Sequence, residues 1–560
     1  MDIQRIAIFI GLAVTSYLLV LAWNEDYGNR VNDESSISTD DVATRQDIEA
    51  DIPGIAIADD IPDIIPQIEI EEETVAKVDA TPSSSSHRIV VRTDVLHVTI
   101  DLKGGDIISV ALPEFPANLD TPDIPFILVD PRNSYSAQSG LIGPDGVDKS
   151  GDRPLYQSEF DHYELGDNET LTVNLTLQND SKVQIVKQFT FQKGDYLIDV
   201  KYRVNNQSYS DIKVALFSQI KRDGQGPYNE QTNSMGLRPF VGGATRTIDE
   251  LYGKLDFEDI ADEGYKGKFE GGYMALVQHY FVSAWIPTGE GIFSYQARKL
   301  PDKDIYLFGF TTPLLTISPG AIGEIGAQYY AGPKDQYRLE EIAAGLDLTV
   351  DYGFLWWLAQ PLFYLLTKIH GVFNNWGVAI ILLTVIVKTL LFPLSAASFR
   401  SMAKMRKLQP EMARLKERFG DDKQQFSQAM MELYKKEGAN PLGGCFPILL
   451  QMPVFLALYW TLMESVELRQ APFVLWIHDL SVMDPYFVLP ILMGASMFLT
   501  QMMQPEPPDP TQAKVMKMMP IMFTFFFLWF PSGLVLYWLV NNILSVLQQW
   551  FVMRQVEKGS

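Results

Sequence analysis

A single cysteine, Cys445, occurs in 560 residues, which excludes an intrachain disulfide and a cysteine-based metal cluster. It lies beside a hydrophobic run and reads as a small packing residue. The six histidines (His87, His97, His162, His279, His370, His478) show no i,i+4 pair and no HExxH, and no GxxxxGK[ST] occurs. Metal-assisted catalysis and nucleotide hydrolysis therefore have no motif to stand on. No metal, no cofactor and no catalytic constellation is expected; the chain reads as a non-catalytic protein. Basic residues are scarce early on: between Glu25 and Ser86, seventeen Asp and Glu face three Lys and Arg (Arg30, Arg45, Lys77). Such a surface repels phosphate, so no specific nucleic-acid partner is expected. Carboxylates are scarce in the last third. The hydrophobic runs 446–464, 486–503, 516–530 and 533–552 hold only Glu464, at the end of its run. Ion-coupled transporters normally carry intramembrane carboxylates, so that class is weakened.

What is present divides the chain into unlike parts. Ile6 to Trp23 is uncharged over 18 residues, enough for a helix to cross ~30 Å of hydrocarbon. The run ends in Leu21-Ala22-Trp23-Asn24-Glu25, a poor cleavage site, and Trp23 suits an interfacial anchor. Residues 1–23 are thus expected to be an uncleaved transmembrane signal anchor rather than a signal peptide. Residues 24–87 are acidic, carry Pro53, Pro62 and Pro66, and end near Pro82-Ser83-Ser84-Ser85-Ser86. They cannot bury enough apolar surface to offset chain entropy and are expected to be a disordered linker.

From 88 to 345 the hydrophobic period becomes two, as in Thr170 to Leu177 and Ile198 to Val204. Turn signals such as Lys103-Gly104-Gly105-Asp106 and Gln192-Lys193-Gly194-Asp195 separate these runs. The pattern predicts an antiparallel, supersandwich-like β-sandwich. Residues 346–375 include the amphipathic stretch WWLAQPLFYLLTKIHGVF, expected to lie along a membrane interface. Spans are expected at about 377–394, 446–464, 486–503, 516–530 and 533–552, within a core of 376–553. The expected fold class is therefore mixed: an all-β outer sandwich and an α-helical polytopic membrane bundle of five spans, with the N-terminal span additional. Ten Lys and Arg fall between Arg400 and Lys436, but only Arg469 falls in 465–485. The positive-inside rule then places a helical hairpin, 399–438, and both termini in the cytoplasm, with the β-domain outside.

Lys388 is the sharpest single feature, a cation inside GVAIILLTVIVKTLLFPL. A central lysine costs roughly 2.5–3.5 kcal/mol to insert, so it should face a wet cavity or an anion. The rival account is a lysine that snorkels to the headgroups. No carboxylate in the other spans is available at its depth, whereas Thr384, Gln451, Ser496, Thr500, Thr524, Asn541 and Asn542 are neutral and polar. Together they suggest a hydrated groove awaiting an anion from outside the protein. The hairpin bears Met402, Lys404, Met405, Arg406 and Lys407. It reads either as a topology determinant attracted to anionic phospholipids or as a methionine-rich docking element for apolar clients.

Several segments resemble the YidC/Oxa/Alb family of membrane-protein insertases. They are Asn440-Pro441-Leu442-Gly443-Gly444-Cys445-Phe446-Pro447, Gln451-Met452-Pro453-Val454-Phe455, Met402-Ala403-Lys404-Met405, the run from Ser465 to Leu480, and Phe530-Pro531-Ser532-Gly533 through Trp538. Gly271-Gly272-Tyr273 and Ala284-Trp285-Ile286-Pro287 resemble the periplasmic domain of the Gram-negative members. The resemblance implies an insertase and folding chaperone of the bacterial inner membrane. Such a protein passes hydrophobic helices of newly made proteins from the cytoplasm into lipid through a hydrated groove. It implies nascent membrane proteins, the ribosome and the Sec translocon (SecYEG, SecDF) as partners. Lys388 corresponds to the family's groove cation, usually arginine, so the charge is kept and the bidentate fork is lost. Thr384, Phe455, Met493, Thr524, Phe526 and Trp538 correspond to substrate-contacting positions. Many relatives end in a long basic tail; here 554–560 is expected to be a short cytoplasmic tail, and ribosome binding through it weak. A secondary transporter and a cell-envelope protein built on the β-domain are the competing classes.

Overall fold

The computed structural model describes residues 87–148, 153–178, 182–226, 239–248, 250–419, 422–437, 446–504 and 510–558. The expected anchor, the linker up to residue 86, the segment Asn440 to Cys445, and Gly559 and Ser560 lie outside the described residues. Two compact units are distinguished, Met1–Ala56 with Glu506–Met518, and Ile57–Pro505 with Met519–Ser560. Of the first, the described part is a stretch of helix over 510–518.

In the second unit, residues 88 to 333 form a β-sandwich of an eleven-stranded and a nine-stranded sheet. The strand Leu197–Asn206 shows how sequence dictates this: burial alternates residue by residue along most of it, because successive side chains face opposite sides of a strand. The apolar sides of both sheets supply one core, with Ile89, Val110 and Phe308 from one and Val173, Phe189 and Trp285 from the other. Trp285 also ties the layers by donating its indole N–H to Gln219 O at 3.1 Å. Two short helices, α1 (Phe257–Asp262) and α2 (Gln336–Ile342), decorate the sandwich.

The core holds a charged cluster that hydrophobic patterning does not reveal. Arg153 pairs with Asp106 at 2.9 Å and Asp148 at 2.6 Å. Beside them, fully buried Lys187 donates to Gly104 O and Ser139 O at 3.0 and 3.1 Å. Burial pushes the Lys187 amine down to about 7 despite the nearby Asp106.

A helical region follows: α3 (Trp356–Phe373), α4 (Trp376–Leu390), α5 (Phe392–Phe419), α6 (Lys423–Glu437), α7 (Phe446–Glu464), α8 (Val488–Met502), α9 (Pro510–Phe526) and α10 (Ser532–Lys558). α3 buries Ala359, Leu362, Phe363 and Leu366 and exposes Trp356, Trp357, Tyr364 and Phe373. Among the described residues no single helix is long and apolar enough to cross a membrane alone; α4 and α5 pass together but are bent by 67°. The expected span 377–394 is therefore broken after Leu390. Pro393 explains the break: lacking an N–H it cannot donate to Thr389 O and continue α4, whereas it suits the first turn of a new helix. The C-terminal stretch expected as a tail is helical through Lys558.

The sandwich is keyed into the segment after α7. Lys334, at the end of the strand Ile322–Pro333, is buried and donates to Thr349 O (3.2 Å) and to the Glu464 carboxylate (2.5 Å). Arg469 donates to Pro116 O at 2.7 Å and lies over the Phe126 and Phe281 rings. Val466 belongs to the sandwich core. His279 Nε2 lies 2.9 Å from Met463 O, so its N–H donates there. Burial, with the Lys334 and Arg469 charges, lowers the ring from 6.5 to about 3. Between those values the unfolded chain binds the proton and the folded one does not. The contribution is complete above pH 6.5 and is lost as pH falls toward 3. At pH 5 the loss is about 2 kcal/mol. In denaturant titrations at pH 7.5 and 5, the wild-type chain is expected to lose that much more stability than His279→Gln. Equal losses would refute the assignment.

Candidate functional site

The helices meet around Lys388. Asn375 caps α4, its side-chain oxygen accepting from Val378 N at 3.0 Å, and Lys388 falls in the last turn of the same helix. A cation there is favoured by the helix dipole. The lysine is only 3 % exposed and crosses to α10, donating from Nζ to Ser545 Oγ at 2.6 Å. No carboxylate among the described residues pairs with it. The lysine thus has a neutral hydroxyl as its partner within the protein, one that the sequence did not name.

Ser545 belongs to a polar stripe on α10 made of Asn541, Asn542, Ser545, Gln548 and Gln549, whose spacing puts them along one side of the helix. Together they reach α4, α7 and α8. Asn541 donates to Gln451 Oε1 of α7 at 3.3 Å, and Asn542 to Ser496 Oγ of α8 at 3.1 Å. Gln548 donates to Lys388 O of α4, and Gln549 to Met503 O, both at 3.2 Å. Sequence reasoning found Gln451, Asn541 and Asn542 but missed Ser545, Gln548 and Gln549. Their spacing behind the asparagines was the available signal.

An aromatic group adjoins the stripe. Phe455 meets Trp538 edge-on with centroids 4.5 Å apart, and Trp538 lies 5.3 Å from Phe527. Phe526 packs at 4.8 Å on Phe530 while remaining 46 % exposed. The Trp538 indole N–H is buried without a hydrogen-bond partner among the described residues, a donor available to an incoming carbonyl.

Other expected contact residues sit differently. Met493 is fully buried in the helical core, and Thr384, 1 % exposed, gives its hydroxyl to Ile380 O in its own helix. Thr524 likewise donates to Pro520 O. Its hydroxyl oxygen occupies the space of a Cβ on Gly494 (1.8 Å), so that glycine permits the close approach of α8 to α9 here. Both Met493 and Thr384 are buried in this structure. Most of the hairpin methionines pack inward, while Met431 stays 57 % exposed. Met402 packs with Ala396, Phe399 and Val552, and Met412 with Leu408 and Met430 between α5 and α6. Met405 packs partly against that second cluster, whereas Lys404, Arg406 and Lys407 are exposed.

Comparison with known proteins identifies the family. Residues 88–365 match the family described as YidC periplasmic domain, and 368–559 match the 60Kd inner membrane protein family. The membrane protein insertase YidC of Stutzerimonas stutzeri (strain A1501) is 50% identical over 563 residues, covering 100% of both chains. The chain belongs to the YidC family of membrane protein insertases. The YidC of Cellvibrio japonicus (strain Ueda107) is likewise 50% identical, over 100% of this chain and 99% of its own. A solved structure of an active YidC insertase, with its first transmembrane domain resolved, is 18% identical with a TM-score of 0.39; it covers 83% of this chain and 92% of that one. Family membership makes the chain an inner membrane protein whose sandwich is its periplasmic domain, and sets the transporter and envelope classes aside.

Proposed function

We propose that the chain inserts hydrophobic helices of newly made proteins into the inner membrane through a polar groove lined by α4, α7, α8 and α10. Both termini face the cytoplasm, and five spans follow an N-terminal one. The observation that carries the reading is Lys388, a buried cation whose partner is a neutral hydroxyl, beside apolar runs whose sole carboxylate is Glu464. A client's acidic tail pairs transiently with this amine, entering at lower desolvation cost than through lipid. A positive-outside potential then favours its crossing by ~2.3 kcal/mol per charge per 100 mV. The apolar helix leaves into lipid past exposed Met522, Phe525 and Phe526. No covalent step is involved. Exposed Lys404, Arg406 and Lys407 provide contacts for ribosome and anionic phospholipid, and the protein works alone or beside the Sec translocon. A photoreactive residue at Phe526, in the full chain in membrane vesicles, is expected to crosslink ribosome-bound nascent membrane proteins. The same group at Tyr209, on the sandwich surface and 91% exposed, is expected not to. Absence of crosslinks from Phe526 would overturn the groove assignment.

A further inference from the structure

We propose that Ser545 is a positioning residue: its hydroxyl is the neutral resting partner of Lys388 and sets the preference for clients with acidic tails. This rests on the charge-capture reading of Lys388. Hydrogen-bond directions support it. A serine hydroxyl has one proton, and Ser545 gives it to Asn541 O, one turn back in α10, at 2.7 Å. Only its lone pairs are then left to face Lys388, which donates to it at 2.6 Å. Gln548, one turn further on, holds the Lys388 carbonyl at 3.2 Å. That carbonyl lies in the last turn of α4, where helix acceptors lack intrahelical donors. Side chain and backbone of the lysine are thus both fixed by one face of α10.

The neutrality of the partner matters as much as its position. The ammonium has three protons; Ser545 accepts one and two remain to meet a client carboxylate. A client carboxylate takes those two protons in charge-assisted bonds, while the hydroxyl keeps the amine in place. An acidic residue at 545 would instead form a permanent internal pair and close the site. A purely apolar residue there would leave the amine without a fixed direction. Serine gives a hold that is directional and leaves the positive charge uncompensated.

The test uses the full-length chain in lipid vesicles and two single-span clients whose translocated tails differ only in carrying two Asp or two Asn. The readout is the ratio of Asp-tail to Asn-tail insertion, in wild type, Lys388→Gln, Ser545→Asp, Ser545→Ala and Ser545→Thr. Ser545→Asp is expected to bring the ratio down to that of Lys388→Gln. Ser545→Ala is expected to lower it roughly fivefold, the size of one net hydrogen bond. Ser545→Thr, which keeps a hydroxyl, is expected to stay within about twofold of wild type by the same measure. A general packing defect would depress both clients and leave the ratio unmoved. If the Asp variant fails to fold, the Ala and Thr pair decides. A ratio that falls in Lys388→Gln but not in Ser545→Ala overturns the proposal alone. A ratio unchanged in Lys388→Gln overturns the charge-capture reading and this proposal with it.

Discussion

Glu464→Leu is expected to destabilise the full chain by about 3–5 kcal/mol, the usual cost of removing one partner from a buried ion pair. Lys334 and Glu464 are each 3 % exposed and 2.5 Å apart. Without the carboxylate, the ammonium is left in the junction with only the Thr349 carbonyl as a recorded acceptor. The pair joins the end of a sandwich strand to the end of α7, so its loss should loosen the periplasmic domain before it unfolds the helices. Chemical denaturation in detergent should show the drop, and limited proteolysis should cut faster between Lys334 and Leu355. The double variant Lys334→Met/Glu464→Leu should recover most of the stability, because an apolar pair of similar volume carries no desolvation cost. A single-variant loss under about 1 kcal/mol, the range of exposed pairs, would show that the pair is solvated.

Gly377→Ala is expected to be the next most damaging change. A Cβ at Gly377 would lie 2.0 Å from Phe473 Cδ2 and 2.4 Å from Cγ. The ring has little room to move aside, because its backbone is held at both ends: Asn375 Nδ2 donates to Phe473 O at 3.0 Å, and Phe473 N to Ile477 O at 3.0 Å. Overpacking of this kind costs about 1–3 kcal/mol and at times more. The first turn of α4 would shift relative to the segment 465–487, and with it the register between Lys388 and Ser545. Thermal unfolding of the single variant and of Gly377→Ala/Phe473→Leu should show the loss and its partial recovery. An unchanged midpoint in the single variant would mean that the ring is not confined.

Much of the architecture was legible because it is periodic. Alternation in Leu197–Asn206 announces a strand, and the long apolar runs announce helices, whatever lies far away in sequence. What could not be read depends on partners distant in the chain. Lys334 and Glu464 are 130 residues apart, and neither has a local pattern that names the other. Lys388 was conspicuous because charge is costly among apolar residues, yet its partner Ser545 is 157 positions away and chemically ordinary. Periodicity finds a face but not what covers it. The methionines of the hairpin therefore looked available to clients, although α5 and α6 bury Met412 and Met430 against each other. Periodicity likewise did not show that Met493 is fully buried, in the cluster that also takes in Phe455, Phe527 and Trp538. The break after Leu390 was visible as Phe392-Pro393, but the apolar run continued through it and was read as one span.

The central claim is that a buried, carboxylate-free lysine captures acidic client tails. It is tested most directly by insertion of an Asp-tailed single-span client into vesicles containing Lys388→Ala or the wild-type chain. Losing a charge-assisted hydrogen bond should lower insertion of that client by about tenfold or more, whereas Lys388→Arg, which keeps the charge, should insert it as the wild type does. Undiminished insertion of several acidic-tailed clients by Lys388→Ala would contradict the claim.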